Sequence, residues 1–206
     1  MTGLGKRARQ KLERPGEILR AAFEEFIRRG YVASRVEDIA AEVGVTKGTV
    51  YFYFETKEAL FSAVIRQFAP ALHGEGFEPV PDRSMREQLS DYLSHLYRAV
   101  ASEHETRQVF HLLMSEGRHF PELVDQYYSE FLAPALDHLK VLLAAGVERG
   151  ELPPSEAIRF PELLLGPAVI ANIWTMVLGA RRPLDKDAFL KAHLDMLFDG
   201  LARQSP

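Results

Sequence analysis

The sequence predicts an all-α protein of about nine helices. Apolar residues recur at the three- and four-residue spacing of helices along almost the whole chain, and no stretch alternates apolar and polar residues as a half-exposed strand does. Glycines and prolines fall between these stretches, where they begin or end helices. A chain of 206 residues, 47% of them hydrophobic, is long enough for one or two compact domains.

Cysteine content and charge restrict the possible functions. The absence of cysteine excludes disulfides and thiolate metal sites, and it fits a reducing cytoplasm, where we expect the protein to act. Residues 1–70 hold 12 Lys and Arg against 9 Asp and Glu, whereas residues 71–206 hold 13 against 20. A mildly basic N-terminal part on an acidic body would turn toward a polyanion such as DNA. The basic N-terminal residues lack a following apolar core, so we expect no signal peptide.

The first periodic stretch follows Pro15, a residue that suits the first turn of a helix. Residues 1–12 carry four Lys and Arg and are predicted to form an arm, which either contacts DNA or is solvated. The helix after Pro15 is predicted to end at Gly30. Ser34 is predicted to cap the next helix, with Glu37 completing a capping box.

The stretch from Val36 to Lys57 has the pattern of a helix-turn-helix. Its first helix has apolar residues at i, i+3, i+4 and i+7, Gly44 can supply the positive φ of a sharp turn, and Thr46 can cap the second helix. Val50 is predicted to point inward, which leaves an outward face of hydroxyls, aromatic rings and one lysine without any acid. Such a face suits a DNA groove, and an ordinary helical hairpin is the alternative. The outward residues are Lys47, Gly48, Thr49, Tyr51, Phe52 and Tyr53.

A Gly- and Pro-rich segment at residues 73–84 marks a domain boundary. The predicted organisation begins with an arm at residues 1–12 and a three-helix domain containing the helix-turn-helix at residues 13–55. A connecting helix at residues 56–73 and a helical body at residues 74–206 follow. In the body, Pro134 predicts a kink in the long helix that begins at Pro121. Residues 163–180 carry no charge, so they form either a helix buried in an interface or a membrane span. Pro167 and Asn172 favour the interface, and we expect no membrane contact.

Catalytic and metal sites have little support in the sequence. His104, His111 and His119 lie near several acidic residues, so a metal site is one interpretation, but no two are spaced by four residues on one helix. We therefore expect no metal and no cofactor. No nucleophile and base are arranged as in a catalytic site, so we expect no enzyme. An all-α enzyme or carrier with a working cavity is the alternative.

The segment GYVASRVEDIAAEVGVTKGTVYFYFETKEAL resembles the DNA-binding head of the tetracycline-repressor (TetR) family of transcriptional regulators, over about residues 13–65. The resemblance implies a homodimeric repressor that binds double-stranded operator DNA and is released by a small hydrophobic or amphipathic effector. An activator or a regulator without an effector is the alternative. Ser34-Arg35 stands where the family often has Thr-Ser or Thr-Thr, and Tyr53 where His is frequent. The implied DNA-binding residues are Arg35, Thr46, Lys47, Gly48, Thr49, Tyr51, Phe52, Tyr53 and Lys57.

The segment RQVFHLLMSEGRHFPELVDQYYSEFLAPAL resembles the ligand-domain pattern of a broad subset of this family. Large apolar or amphipathic residues on the central helices are the candidate pocket lining, with an ordinary core as the alternative. These are Phe110, Met114, Tyr127, Phe131, Trp174 and Val177. The resemblance also implies dimerisation through the last two helices. The expected interface residues there are Val169, Ile170, Ile173, Leu194, Leu197 and Phe198.

Overall fold

The computed structural model describes residues 6–69, 72, 79–154 and 156–202, with side chains left out at 6–12, 157 and 199–202. Helices account for nearly all of these residues and no strand occurs among them, which confirms the all-α prediction. The chain forms two compact units. Unit 1 contains Met1–Ala69 and Gln108–Asp125, and unit 2 contains Pro70–Arg107 and Gln126–Pro206. A later segment of the chain thus joins the N-terminal unit.

Unit 1 begins with a long helix, α1, that starts before Pro15. Lys6 to Glu13 are mostly strong helix formers, so the helix begins there and Pro15 lies inside it rather than in its first turn. Of the predicted arm, residues 1–5 and the side chains of residues 6–12 lie outside the described part. The helices of unit 1 are α1 (Lys6–Ala33), α2 (Val36–Val43), α3 (Lys47–Tyr53), α4 (Lys57–Phe68), the end of α6 (His104–Glu116) and most of α7 (Pro121–Tyr127).

The core of unit 1 is formed by apolar faces of α1, α2 and α4. Phe23 and Phe68 stack with their ring centroids 4.2 Å apart, and Phe26 meets Phe61 edge to face at 5.0 Å. Aromatic pairs of this kind add to the stabilisation from buried area. Most residues that the helical spacing assigns to the inner faces are buried, as the sequence predicts, whereas Ile27 and Val43 are half-buried. The buried ones include Ile18, Ala22, Phe23, Phe26, Val36, Ile39, Ala40, Leu60, Phe61, Val64 and Ile65.

Gly30 interrupts α1, but Ser34 does not act as the predicted cap. Gly30 has φ 74° and ψ 168°, so the helical path breaks there as expected. The residue that precedes α2 is Arg35, whose side chain makes no capping hydrogen bond. Ser34 instead is buried and donates its hydroxyl to the carbonyls of Gly30, at 2.6 Å, and Glu25, at 3.2 Å. The capping-box prediction is wrong because these carbonyls at the end of α1 take the hydroxyl.

Unit 2 has one apolar core built mainly by its long helices. Tyr92 is fully buried at its centre, and its hydroxyl donates to the carbonyl of Leu72 at 3.1 Å. Leu89, Leu93 and Leu139 are equally inaccessible. The helical segments of unit 2 are α5 (Met85–Tyr97), a π-helical segment (Arg98–Ser102), the start of α6, a second π-helical segment (Tyr128–Leu132), α8 (Ala133–Glu148), a 3₁₀ turn (Glu156–Arg159), α9 (Glu162–Leu178) and α10 (Lys186–Ala202).

Pro134 disturbs the long helix as predicted. The π-helical segment Tyr128–Leu132 separates α7 from α8 immediately before this proline. Proline lacks the N–H that an α-helix uses and its ring crowds the preceding turn, so a wider turn at this point avoids the clash.

The apolar helix α9 packs in the core of unit 2. Leu164, Leu165 and Ala168 on one side of it are buried. Within the described ranges, no helix is long and apolar enough to cross a membrane.

Candidate functional site

The turn between α2 and α3 has the geometry that the sequence predicts. Gly44 is left-handed, with φ 71° and ψ 34°, and Val45 N–H donates to the Ala40 carbonyl at 2.9 Å. Thr46 Oγ1 accepts a hydrogen bond from Thr49 N–H at 3.2 Å, which confirms Thr46 as the cap of α3. Val50 is buried and holds α3 against the rest of unit 1. The turn and the cap together fix the direction of α3.

The opposite side of α3 is open. At 100° per residue, Gly48 and Phe52 lie on the helix side opposite Val50, one turn apart. Phe52 is 73% exposed, and a Cβ added at Gly48 would meet only Thr46 Oγ1, at 3.7 Å. Of the predicted DNA-binding residues, Arg35, Thr46, Lys47, Gly48, Tyr51 and Phe52 are exposed, and Thr49, Tyr53 and Lys57 are half-buried. Six of the nine predicted residues are therefore accessible to a partner.

Lys47 on this surface is paired with an acid. Its Nζ lies 2.6 Å from Glu37 Oε1, and this hydrogen bond raises the pKa of Lys47 and lowers that of Glu37. Both side chains are about half exposed, where an ion pair contributes little to stability. Lys47 must exchange Glu37 for a phosphate or a base if it contacts DNA.

Lys57 has a structural role that the sequence did not indicate. Its Nζ donates to the carbonyls of Tyr31, at 2.5 Å, and Ser34, at 2.6 Å, and it lies 4.4 Å from the centre of the Tyr31 ring. Burial lowers the pKa of Lys57. The ammonium group thus ties the start of α4 to the end of α1. A contact between Lys57 and DNA stays a prediction.

Glu116 at the end of α6 also binds the end of α1, at Tyr31. Its Oε1 accepts a hydrogen bond from Tyr31 N–H at 3.0 Å, and the carboxylate is buried. Phe120 packs edge to face on Tyr31 with centroids 4.5 Å apart. Tyr31 also donates its hydroxyl to Glu58 at 2.7 Å. Gly30 is the only sequence signal for the hydrogen bond between Tyr31 and Glu116. Its positive φ interrupts α1, so the Tyr31 N–H does not bond within the helix and can donate to Glu116.

Unit 2 contains buried polar side chains that the sequence analysis did not connect with a site. Asn172 is fully buried, and neither of its amide atoms has a hydrogen-bond partner among the described residues. The hydroxyl of Tyr97 and Nδ1 of His193 lie 3.1 Å apart in the interior. Burial raises the pKa of Tyr97 to about 12 and lowers the pKa of His193, so both are neutral near pH 7. Unit 2 can therefore offer polar groups in an apolar interior.

The predicted pocket residues lie in different surroundings. In unit 1, Phe110 is half-buried and Met114 is exposed. In unit 2, Tyr127 and Phe131 are half-buried with their rings 5.5 Å apart, and burial raises the pKa of Tyr127 to about 12. The remaining two residues, Trp174 and Val177, are exposed. Tyr127 and Phe131 are thus in ring contact, and the pocket assignment stays a prediction.

One side of α9 exposes a line of large apolar residues, here called the α9 stripe. It consists of Leu163, Ile170, Trp174 and Val177, whose spacings of seven, four and three residues place them on one helix face. Ile170 is 55% and Val177 72% exposed. Of the other predicted interface residues, Val169, Ile173, Leu194 and Leu197 are half-buried and Phe198 is buried.

No group of three or more His, Cys, Asp or Glu side chains in the described part of the chain could hold a metal ion. The alternative of a metal site near His104, His111 and His119 therefore finds no support in these residues.

Comparison with known proteins agrees with this arrangement. Residues 18–64 match the family model described as bacterial regulatory proteins, tetR family, and residues 80–197 match the model described as tetracyclin repressor-like, C-terminal domain. The chain belongs to the TetR family. It is a ligand-responsive, DNA-binding transcriptional regulator. TetR regulators bind operator DNA and small-molecule effectors, and they act as dimers.

Several relatives resemble the chain over most of its length. The fatty acid metabolism regulator protein of Bacillus subtilis is 26% identical over 198 residues, which cover 94% of this chain and 98% of the relative. The regulator RutR of Escherichia coli K12 is 30% identical over 156 residues, 73% of this chain and 69% of RutR. The crystal structure of FadR from Bacillus subtilis in complex with stearoyl-CoA has a TM-score of 0.66 and 25% identity, and covers 90% of this chain and 98% of that one.

Proposed function

We propose that the protein is a homodimeric repressor in the cytoplasm, which binds operator DNA through α3 and releases it when a long-chain acyl-CoA binds unit 2. The observation that carries the DNA-binding part is the exposed face of α3. This face carries no acidic residue, and the Gly44 turn, the Thr46 cap and buried Val50 fix it in place. Two such helices in a dimer would enter successive major grooves, at a spacing of about 34–36 Å.

Side chains around α3 divide into two kinds of DNA contact. Tyr51 and Tyr53 carry hydroxyls that can donate to phosphate oxygens, and Arg35, exposed directly before α2, adds a cation for a further phosphate. Thr49 and Lys47 are short or flexible enough to reach base edges. Phosphate contacts would set the position of α3 on the duplex, and base contacts would set the preferred sequence.

The α9 stripe is the proposed dimer interface. Contiguous exposed apolar surface is characteristic of association sites, and a two-fold axis would bring the same stripe from two copies together. Gly166 lies between Leu163 and Ile170 along α9, and nothing lies within 4 Å of where its Cβ would be. The partner's helix could therefore approach closely at this point. In this proposal Trp174 and Val177 belong to the interface rather than to the ligand pocket.

An acyl-CoA effector is supported by the relatives and by the interior of unit 2. One relative is named for fatty acid metabolism, and FadR was crystallised with stearoyl-CoA. In unit 2 the neighbouring rings of Tyr127 and Phe131, tilted by 36° to each other, provide an aromatic surface for an acyl chain. The fully buried Asn172 amide could donate to and accept from the thioester or amide groups of such a ligand.

Gel shift with the purified full-length protein tests the DNA part. Duplexes from the region upstream of its own gene should be retarded at low salt, and binding should weaken steeply as salt rises. The double variant Lys47→Ala, Tyr51→Phe should bind at least tenfold more weakly, because two contacts of about 1 kcal/mol each are lost. Equal binding by the variant and the wild type would overturn the assignment of α3.

Adding stearoyl-CoA to the preformed complex tests the effector part. Release of DNA by micromolar stearoyl-CoA, with no release by coenzyme A or stearate alone, is the expected result. The differential affinity of the ligand for the two protein states supplies the free energy of release. Unchanged gel shift at saturating stearoyl-CoA would overturn the effector and leave the DNA part standing.

A further inference from the structure

The most outward side chain of α3 is apolar. Phe52 lies on the side of α3 opposite buried Val50 and is 73% exposed. An exposed phenylalanine contributes little to the stability of unit 1, because most of its ring stays in contact with water. Its position therefore points to a contact made outside the chain.

The surroundings of Phe52 hold its ring in place and leave space beside it. The ring of Tyr53 meets it edge to face with centroids 5.1 Å apart. Side chains on a helix lean toward its N-terminus, so Phe52 leans toward position 48, one turn earlier. That residue is Gly48, which has no side chain to cover the ring.

Two of the polar side chains of α3 already have partners within unit 1. Lys47 Nζ is bound to Glu37, and the Thr49 hydroxyl lies 3.0 Å from the Thr46 hydroxyl. The centre of the exposed α3 face is therefore more apolar than its composition indicates. A phenyl ring cannot hydrogen-bond to a phosphate or a base edge, so a contact between the Phe52 side chain itself and DNA has to be apolar.

The major groove offers one apolar group on the bases, the C5-methyl group of thymine. We propose that Phe52 is a specificity-determining residue that contacts a thymine methyl group in each operator half-site. The inference rests on the proposed binding of α3 in the major groove. 5-Methylcytosine carries a methyl group at the same ring position, so Phe52 recognises the methyl group rather than the Watson–Crick pairing of the base.

Deoxyuridine substitution tests this contact, because it removes only the methyl group of thymine. Duplexes preferred by the wild-type full-length protein are first selected from a random pool. Each thymine of a preferred half-site is then replaced by deoxyuridine, and dissociation constants are measured at fixed salt. At one position we expect about a fourfold loss of affinity for one half-site, and about 15-fold when both are substituted, since burial of one methyl group is lost per site.

Variants of Phe52 assign the effect to this side chain. Phe52→Ala should bind the thymine duplex more weakly and lose the sensitivity to deoxyuridine, with less than a twofold difference between the two duplexes. Phe52→Leu should retain part of the sensitivity, because it keeps an apolar side chain. Val32→Ala serves as the matched control, since Val32 is 78% exposed in unit 1 but lies outside α3. Its sensitivity should equal that of the wild type.

Cytosine at the sensitive position gives a second measurement. Changing C·G to 5-methylC·G there should restore about fourfold of affinity to the wild type and none to Phe52→Ala. The proposal is overturned if every deoxyuridine duplex binds the wild type as well as its thymine counterpart. It is also overturned if Phe52→Ala keeps the same sensitivity, because another residue would then contact the methyl group. A pool that yields no preferred duplex would overturn the proposed function together with this inference.

Discussion

Unit 1 and unit 2 differ in how their buried polar groups are satisfied. In unit 1, the Glu116 carboxylate accepts from Tyr31 N–H, and the Lys57 ammonium and the Ser34 hydroxyl donate to carbonyls near the end of α1. In unit 2, the Asn172 amide is fully buried without a hydrogen-bond partner among the described residues. An unpaired buried amide costs on the order of 1–3 kcal/mol.

The two units also differ in which apolar residues they expose to solvent. The large exposed apolar residues of α3 are aromatic and sit on a face suited to DNA, whereas unit 2 carries the α9 stripe, a line of apolar residues along a whole helix. The buried groups around the end of α1 thus find their partners within unit 1, although Glu25 Oε1 has only an ion pair with Arg29, at 3.3 Å. Unit 2 has an unpaired interior amide and an exposed apolar helix face, and the proposed effector and dimer contacts rest on these two features.

The largest expected effect comes from a charge in the α9 stripe. Ile170→Asp places a carboxylate on each side of the proposed interface and removes an apolar contact of about 1.5–3 kcal/mol per copy, so dimerisation should weaken at least 100-fold. Sedimentation velocity over a concentration series should then show monomers. Val141→Asp is the matched control, because Val141 is 50% exposed but lies on α8, and it should remain dimeric. A dimeric Ile170→Asp protein would remove the stripe from the interface.

The next largest effect tests how much the hydrogen bond between Glu116 and Tyr31 contributes to the stability of unit 1. Glu116→Ala leaves the Tyr31 N–H unpaired and should lower the free energy of unfolding by about 2 kcal/mol. Glu116→Gln keeps an acceptor oxygen and should lose less than half as much. Urea unfolding of the full chain measures both, with Glu122→Ala as an exposed control on α7. A loss in Glu116→Ala no larger than in the control would contradict the comparison between the units.

A gain of stability should come from unit 2. Asn172→Leu replaces an unpaired amide with an apolar group of similar size, so the free energy of unfolding should rise by about 1 kcal/mol. The same variant should lose release by stearoyl-CoA if the amide contacts the effector. Thermal unfolding and gel shift measure the two effects separately. A destabilised Asn172→Leu would show that the amide has a partner in the folded protein.

The smallest effect is a pH dependence from His193. Burial lowers the pKa of this imidazole below its ordinary value of 6.5, so the unfolded chain binds the proton first as the pH falls. Its contribution to stability is complete above pH 6.5 and is lost below it, by at most about 1.4 kcal/mol per pH unit. The difference in unfolding free energy between the wild type and His193→Gln should therefore change between pH 7.5 and 5.5. A constant difference would mean that His193 is protonated to the same extent in both states.

Short-range patterns in the sequence predicted the details of the helix-turn-helix correctly. Gly44 and Thr46 act within four residues of their partners, so their residue types are enough to predict the turn and the cap. Ser34 shows the limit of such patterns. Its spacing to Glu37 suits a capping box, but carbonyls at the end of α1 compete for the same hydroxyl, and only the folded backbone places them within reach.

Residue periodicity predicted the buried faces better than the exposed ones. Their size and their place on a central helix predict a pocket lining for Trp174 and Val177, yet both are exposed beside Ile170 on the α9 stripe. Helical spacing shows which residues share a face, but it does not show what covers that face. For the same reason the sequence did not distinguish a pocket lining from a surface for a second copy.

The sequence by itself determined the helices, the helix-turn-helix and the family, because each of these depends on residues close together in the chain. Only the tertiary structure decided that Glu116 and Lys57 both bind the end of α1, since Glu116 lies 85 residues from Tyr31. It also decided that Asn172 is buried without a partner in the described interior. Packing sets which polar groups meet and which do not, and no local pattern contains that information.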